Sequence, residues 1–121
     1  MRVLIADKMA EQVVPQLKKH GCEVLINPSL SGTDLKNTIQ ENDPQILVVR
    51  STKVETQHLQ AARSLSLVVR AGAGVNTIAV KEASERGIYV ANCPGKNAAA
   101  VAELALGHIL NADRRIADNV E

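Results

Sequence analysis

The run Ile46-Leu47-Val48-Val49 constrains the fold of this chain more than any other stretch. Four apolar residues in succession, three of them β-branched, make a strand with no polar face. Such a strand is dry on both sides, as in parallel sheets covered by helices on both faces. Two further runs repeat the pattern: Val3-Leu4-Ile5-Ala6 within a strand spanning Arg2 to Asp7, and Leu67-Val68-Val69. Shorter strands are expected at Cys22 to Ile26, ended by Asn27-Pro28, and at Ile88 to Ala91.

The segments between these runs have helical periodicity. Glu11 to His20 places Val13, Val14 and Leu17 on one side and closes at Gly21, and Pro15 is compatible only with its first turn. Ser31 to Glu41 carries Leu35 and Ile39 four residues apart, and Asn42-Asp43-Pro44 stops it. Thr56 to Arg63 and Val80 to Arg86 complete the set, the latter closed by Gly87. Strand and helix therefore alternate, which predicts an α/β, flavodoxin-like fold: a five-stranded parallel sheet of order 2-1-3-4-5 with helices on both faces.

In an open α/β sheet ligands lie beyond the carboxyl ends of the strands. Those ends hold Asp7, Arg50-Ser51-Thr52-Lys53, Arg70 to Gly74 and Asn92 to Asn97. A phosphoacceptor site would need carboxylates clustered after the first and third strands, and the third ends in Arg50. A flavin site would need a hydroxyl- and glycine-rich loop after the first strand, where this chain has Asp7-Lys8-Met9-Ala10. What the edge carries is cationic and rich in amides. Arg50 offers a planar fork suited to carboxylate or phosphate, Ser51 a hydroxyl, and Lys53 and Arg70 further charge. Gly72-Ala73-Gly74 can turn successive N–H groups into one concavity that holds an anion, or can simply be a tight turn from strand to helix. It is not a complete dinucleotide fingerprint, because Thr77 stands at the third glycine position and no acidic residue follows about 20 positions on.

Composition narrows the partners. Tyr89 is the sole aromatic residue, which argues against base stacking, and a net charge of +1 with interspersed signs offers no patch for nucleic acid or anionic lipid. Cys22 and Cys93 form no C-x-x-C pair, so they are expected as buried thiols rather than metal ligands. His20, His58 and His108 lack a carboxylate placed by the sequence to orient them; His58 is expected on a surface helix, and no catalytic residue or metal site emerges. A strand at the very N-terminus and the lack of a membrane-length apolar run predict a soluble, cytoplasmic protein.

The last segment differs in character. From Asn97, a good N-cap, the chain runs Ala98 to Leu110 almost without a polar face and then turns polar from Asp113 to Glu121. A helix apolar all round must be covered on more than one side, so residues 97–121 are expected to dock on a second domain or a second copy, giving a homo-oligomer. Residues 1–96 form the ligand-binding domain in this division.

At this point the residues resemble a family. VVRAGAGVNTIAVKEASERGIYVANCPGKNAAAVAELALGHIL is similar to the N-terminal part of NAD-dependent D-2-hydroxyacid dehydrogenases, and RSTKV with its preceding strand looks most like the 3-phosphoglycerate-oxidising branch. The resemblance implies a flavodoxin-like substrate-binding domain whose final helix crosses into a Rossmann domain that binds NAD. It implies that Arg50, Ser51 and Lys53 face a small anionic 2-hydroxy or 2-oxo acid, with Arg70 beside them. It also implies that the amides of Gly72, Ala73 and Gly74 hold the substrate carboxylate and that Asn97 lines the same cleft. The family's Rossmann fingerprint and catalytic Arg, Glu and His fall beyond Glu121, so the chain alone is expected to be inactive. Where the family usually has Asp-Asn-x-Asp after Gly74-Val75, this chain has Asn76-Thr77-Ile78-Ala79. The other reading open at this stage is a non-enzymatic anion-binding or oligomerisation module.

Overall fold

The computed structural model describes residues 2–7, 13–19, 21–28, 30–71 and 77–92. In chain order the elements are β1 (Arg2–Ile5), α1 (Val13–Lys19), β2 (Glu23–Ile26), α2 (Gly32–Asn42), β3 (Ile46–Val49), α3 (Thr56–Ala61), β4 (Leu67–Arg70), α4 (Val80–Glu85) and β5 (Tyr89–Asn92). The strands pair in parallel throughout, in the order β2-β1-β3-β4-β5, as the alternation of strand and helix predicts. The glycine turn at 72–74 and the apolar segment from Asn97 onward, with Cys93, His20 and His108, lie outside the described residues.

The pleat sorts the apolar runs into two layers. Leu4, Ala6, Leu47, Val49 and Val68 share one core with Leu35 and Ile39 of α2, Leu59 and Ala61 of α3 and Ala83 of α4. Val3, Ile5, Ile46, Val48, Leu67 and Val69 share the other with Leu17 of α1 and Cys22. All four residues of β3 are fully buried, as a central strand covered on both faces requires. The edge strands behave differently: Leu25 and Ile26 of β2 and Tyr89 of β5 remain 42 to 51% exposed. Burial pushes the Cys22 thiol above its ordinary range, which suits a packing role.

Backbone chemistry ends the helices where the sequence predicts. Gly21 and Gly87 adopt φ of +87° and +74°, and each closes a paired C-terminal motif. Gly21 N–H donates to Lys18 O and Cys22 N–H to Leu17 O, while Gly87 N–H donates to Ser84 O and Ile88 N–H to Ala83 O. Asp43, before Pro44, takes the left-handed conformation and caps α2 through its N–H on Ile39 O. Pro15 lies in the first described turn of α1, where its missing N–H removes no helical hydrogen bond.

Three expectations are corrected. α3 stops at Ala61 rather than Arg63, because Ala62 turns extended and Ser64 donates both its N–H and its hydroxyl to the Asp43 carboxylate. β4 includes Arg70, whose backbone stays in register between Val49 and Asn92 while its charged side chain reaches beyond the sheet edge. His58 is not on the surface but fully buried. Its Nδ1 accepts the Glu55 N–H at 2.9 Å and its Nε2 lies 2.8 Å from Gly32 O, so the ring proton sits on Nε2 and the imidazole ties the start of α3 to the start of α2. The role is structural.

Candidate functional site

The carboxyl edge of the sheet is organised by the loop from Arg50 to Lys53, between β3 and α3. Three neighbouring elements fix its backbone. From β1, the Asp7 carboxylate reaches across: a single oxygen, Oδ2, accepts the N–H groups of Arg50 at 2.6 Å, Ser51 at 3.2 Å and Thr52 at 3.1 Å. From β4, the Arg70 Nε donates to Arg50 O at 3.1 Å, and Ala71 N–H donates to Val49 O at 2.8 Å. Beyond the loop, Val54 forms a parallel bridge with Ile78. Val54 N–H donates to Thr77 O and Ala79 N–H to Val54 O, which ties the loop after β3 to the loop after β4. Val54 and Ile78 are both buried, so this tie is shielded from water.

With the backbone anchored, the side chains of Arg50, Ser51 and Lys53 are exposed and Arg70 is partly exposed. The structure thus brings four of the predicted site residues to one strip of the sheet edge. Arg70 enters it through a contact with the loop backbone as well as by its charge. Gly72, Ala73, Gly74 and Asn97 lie outside the described residues. Among the described residues of the strip, Arg50, Lys53 and Arg70 stand against the Asp7 carboxylate, which is already engaged by amide dipoles. The strip is suited to attract an anion through side-chain donors.

Nothing else among the described residues competes as a chemical centre. No group of three or more His, Cys, Asp or Glu side chains is arranged to hold a metal ion. A surface hollow of about 420 Å³ lies between the starts of α3 and α4, lined by Thr56, Ala79, Val80, Lys81, Glu82 and Glu85. None of the cationic strip lines it, and its two carboxylates make it the wrong sign for an anion. Sequence reasoning missed two parts of the site. Asp7 drew notice only as the terminus of a strand, yet a carboxylate that closes a central strand has the neighbouring loop's N–H groups within reach. The Val54–Ile78 bridge left no signal, since a one-pair bridge has no periodicity.

The comparisons with known proteins agree with this geometry. Residues 3–120 match the family model described as D-isomer specific 2-hydroxyacid dehydrogenase, catalytic domain. The D-3-phosphoglycerate dehydrogenase of Archaeoglobus fulgidus is 38% identical over 117 residues, covering 96% of this chain and 22% of that enzyme. The hydroxypyruvate reductase of Thermotoga maritima is 42% identical over 112 residues, covering 92% of this chain and 35% of its own length. Among solved structures, the 3-phosphoglycerate dehydrogenase of Entamoeba histolytica, crystallised with NAD+, aligns with a TM-score of 0.70 at 31% identity over 88% of this chain and 37% of that one. The chain spans about a fifth to a third of the length of these curated relatives. No described helix is long and apolar enough to cross a membrane. Sheet order, anchored loop and sequence match converge: this chain belongs to the D-isomer-specific 2-hydroxyacid dehydrogenase family.

Proposed function

We propose that the chain is the substrate-orienting portion of an NAD-dependent D-2-hydroxyacid dehydrogenase, acting on 3-phosphoglycerate. The observation that carries this reading is the triple anchorage of the loop that presents Arg50, Ser51 and Lys53. A held loop offers its donors at fixed positions, so binding orients the substrate rather than merely collecting it. In this reading Arg50 and Lys53 take the phosphate, Ser51 adds a hydroxyl contact, and Arg70 contributes charge. The amides of Gly72, Ala73 and Gly74 receive the carboxylate, and Asn97 lines the same cleft.

In this reading NAD is held elsewhere than on the described residues. A pyrophosphate on this sheet would approach the carboxyl end of β1, where the family of dinucleotide folds has a glycine turn. Here that place holds the Asp7 carboxylate, with three loop amides already turned to it. In this reading the cofactor and the catalytic base belong to another part of the enzyme, and the chain by itself is inactive. Residues 97–121 make the contact with that part or with a second copy, giving a homo-oligomer in the cytoplasm. Nucleic acid and membrane have no place in this reading.

Relatives with two different names make the second anion the deciding point, because hydroxypyruvate lacks the phosphate. Titrating the isotope-labelled chain with 3-phosphoglycerate, hydroxypyruvate and lactate, followed by amide chemical shifts, separates them. The proposal expects saturable shifts from Arg50 to Lys53 with 3-phosphoglycerate. It also expects a loss of about tenfold or more in affinity for that acid on Arg50→Ala, the worth of one charge-assisted hydrogen bond. Equal affinity for all three acids, or no shifts in this loop, overturns the substrate assignment. NADH binding or turnover by the isolated chain overturns its inactivity, and a monomer by light scattering overturns the oligomer.

A further inference from the structure

We infer that Asp7 is a positioning residue: its carboxylate is the built-in anion around which the loop Arg50-Ser51-Thr52 is wound, and it holds the anion-binding side chains in place. This deepens the reading of the same site and rests on it. Three consecutive N–H groups converging on one acceptor is the arrangement by which loop backbones capture phosphate and carboxylate ligands. Here the concavity is filled from within, by Oδ2 of Asp7, two residues past the end of the interior strand β1.

Two consequences follow. First, the amides of residues 50–52 are spent on Asp7, so an incoming anion at this loop meets side chains and not backbone. That divides the work of the site: recognition of a second anionic group falls to Arg50, Ser51 and Lys53, which are exposed while their backbone is not free to move. Second, the loop's shape depends on a group that never touches the ligand. Val49 and Val54, at the two ends of the segment, are fixed by sheet pairing and by the bridge to Ile78. Between them, the Asp7 carboxylate and the Arg70 guanidinium are the side-chain holds described on the loop backbone. The Arg70 Nε holds the Arg50 carbonyl. Asp7 holds three amides, and removing it frees most of the turn.

The test uses the full chain carrying Asp7→Ala and, separately, Asp7→Asn. Amide shifts and hydrogen exchange at Arg50, Ser51 and Thr52 report the loop, and affinity for 3-phosphoglycerate reports the site. The inference expects Asp7→Ala to lose the protection of these three amides while the β3 amides keep theirs, and to weaken 3-phosphoglycerate by about tenfold to a hundredfold through misplacement of donors. It expects added formate to restore part of both, by occupying the vacated concavity. Asp7→Asn, which keeps an acceptor oxygen without the charge, should fall between parent and alanine variant. A folded Asp7→Ala chain with unchanged protection at 50–52, or with parental affinity, overturns the inference; if the alanine variant does not fold, parental protection and affinity in Asp7→Asn overturn it equally. Parent chain that ignores 3-phosphoglycerate overturns the substrate reading instead, and the formate-reversible loss of protection then still decides the role of Asp7.

Discussion

Replacing His58 by leucine isolates the worth of the imidazole that joins α2 to α3. The ring is fully buried, accepts the Glu55 N–H at 2.9 Å and donates to Gly32 O at 2.8 Å. Leucine has similar bulk, so the space stays filled and only the two hydrogen bonds are lost. Glu55 is exposed and Gly32 half-buried, so each backbone group left without its partner costs at most the roughly 1–3 kcal/mol of a buried one. The added apolar surface returns part of that, roughly 1 kcal/mol, which leaves a net loss of about 1–5 kcal/mol. Against the 5–15 kcal/mol typical of a domain, that is a large fraction. Urea denaturation followed by far-ultraviolet circular dichroism measures it: with a slope of about 2 kcal/mol per molar, the midpoint should fall by roughly 0.5–2.5 M. Asparagine places a polar atom near the Nδ1 position and glutamine near Nε2, so each should recover part of the loss. A His58→Leu stability within about 0.5 kcal/mol of the parent, at unchanged slope, would show that water replaces both partners and would refute the argument.

Other perturbations follow from the same structure. Gly87→Ala meets no atom within 4 Å of the new Cβ, so its whole cost is the left-handed backbone, about 1–2 kcal/mol in urea, and Gly87→Asn should cost less. Leu47→Ala, in the centre of the sheet, should cost about 2–5 kcal/mol by the same measurement. The Ser64 hydroxyl above all holds the Asp43 carboxyl below the usual carboxylate range; desolvation opposes it, and the Ser64 N–H, Arg63 and Arg2 add to the lowering. A depressed folded value stabilises above the unfolded pKa of about 4 and loses that stabilisation as pH falls through the lowered value. Ser64→Ala should therefore lower the melting temperature at neutral pH, and the gap from the parent should close on acidification below about pH 4. A gap that persists in acid would assign the effect to packing.

The parts of the fold that were legible in sequence are those written in runs of residues. The dry strand Ile46–Val49, the helix-stopping Asn42-Asp43-Pro44 and the two closing glycines each carry a local physical reason that tertiary structure had no cause to override. Arg50, Ser51, Lys53 and Arg70 were legible as a set because parallel order brings successive strand ends to one edge. What stayed hidden was written in pairs far apart in sequence. Asp7 meets Arg50 across more than 40 residues, and His58 meets Gly32 across 26. A lone aspartate and a lone histidine look like solvated residues until the sheet and the helix pair are assembled, and only then does each find backbone groups that need it.

The strand order has a consequence for how the protein is made. Strands begin at Arg2, Glu23, Ile46, Leu67 and Tyr89, a spacing of roughly 22 residues. In the order β2-β1-β3-β4-β5, every strand after the first lies beside one that has already been synthesised: β2 and then β3 flank β1, and thereafter each newcomer extends the same side. At about 5–20 residues per second, a ribosome delivers one such unit every one to four seconds, far longer than a helix or a short loop closure takes. The sheet can therefore lengthen in step with translation, and from β3 onward its growing margin is the strand just released. After β1, every strand finds one neighbour already made, which shortens the time that apolar runs such as Ile46–Val49 spend without cover.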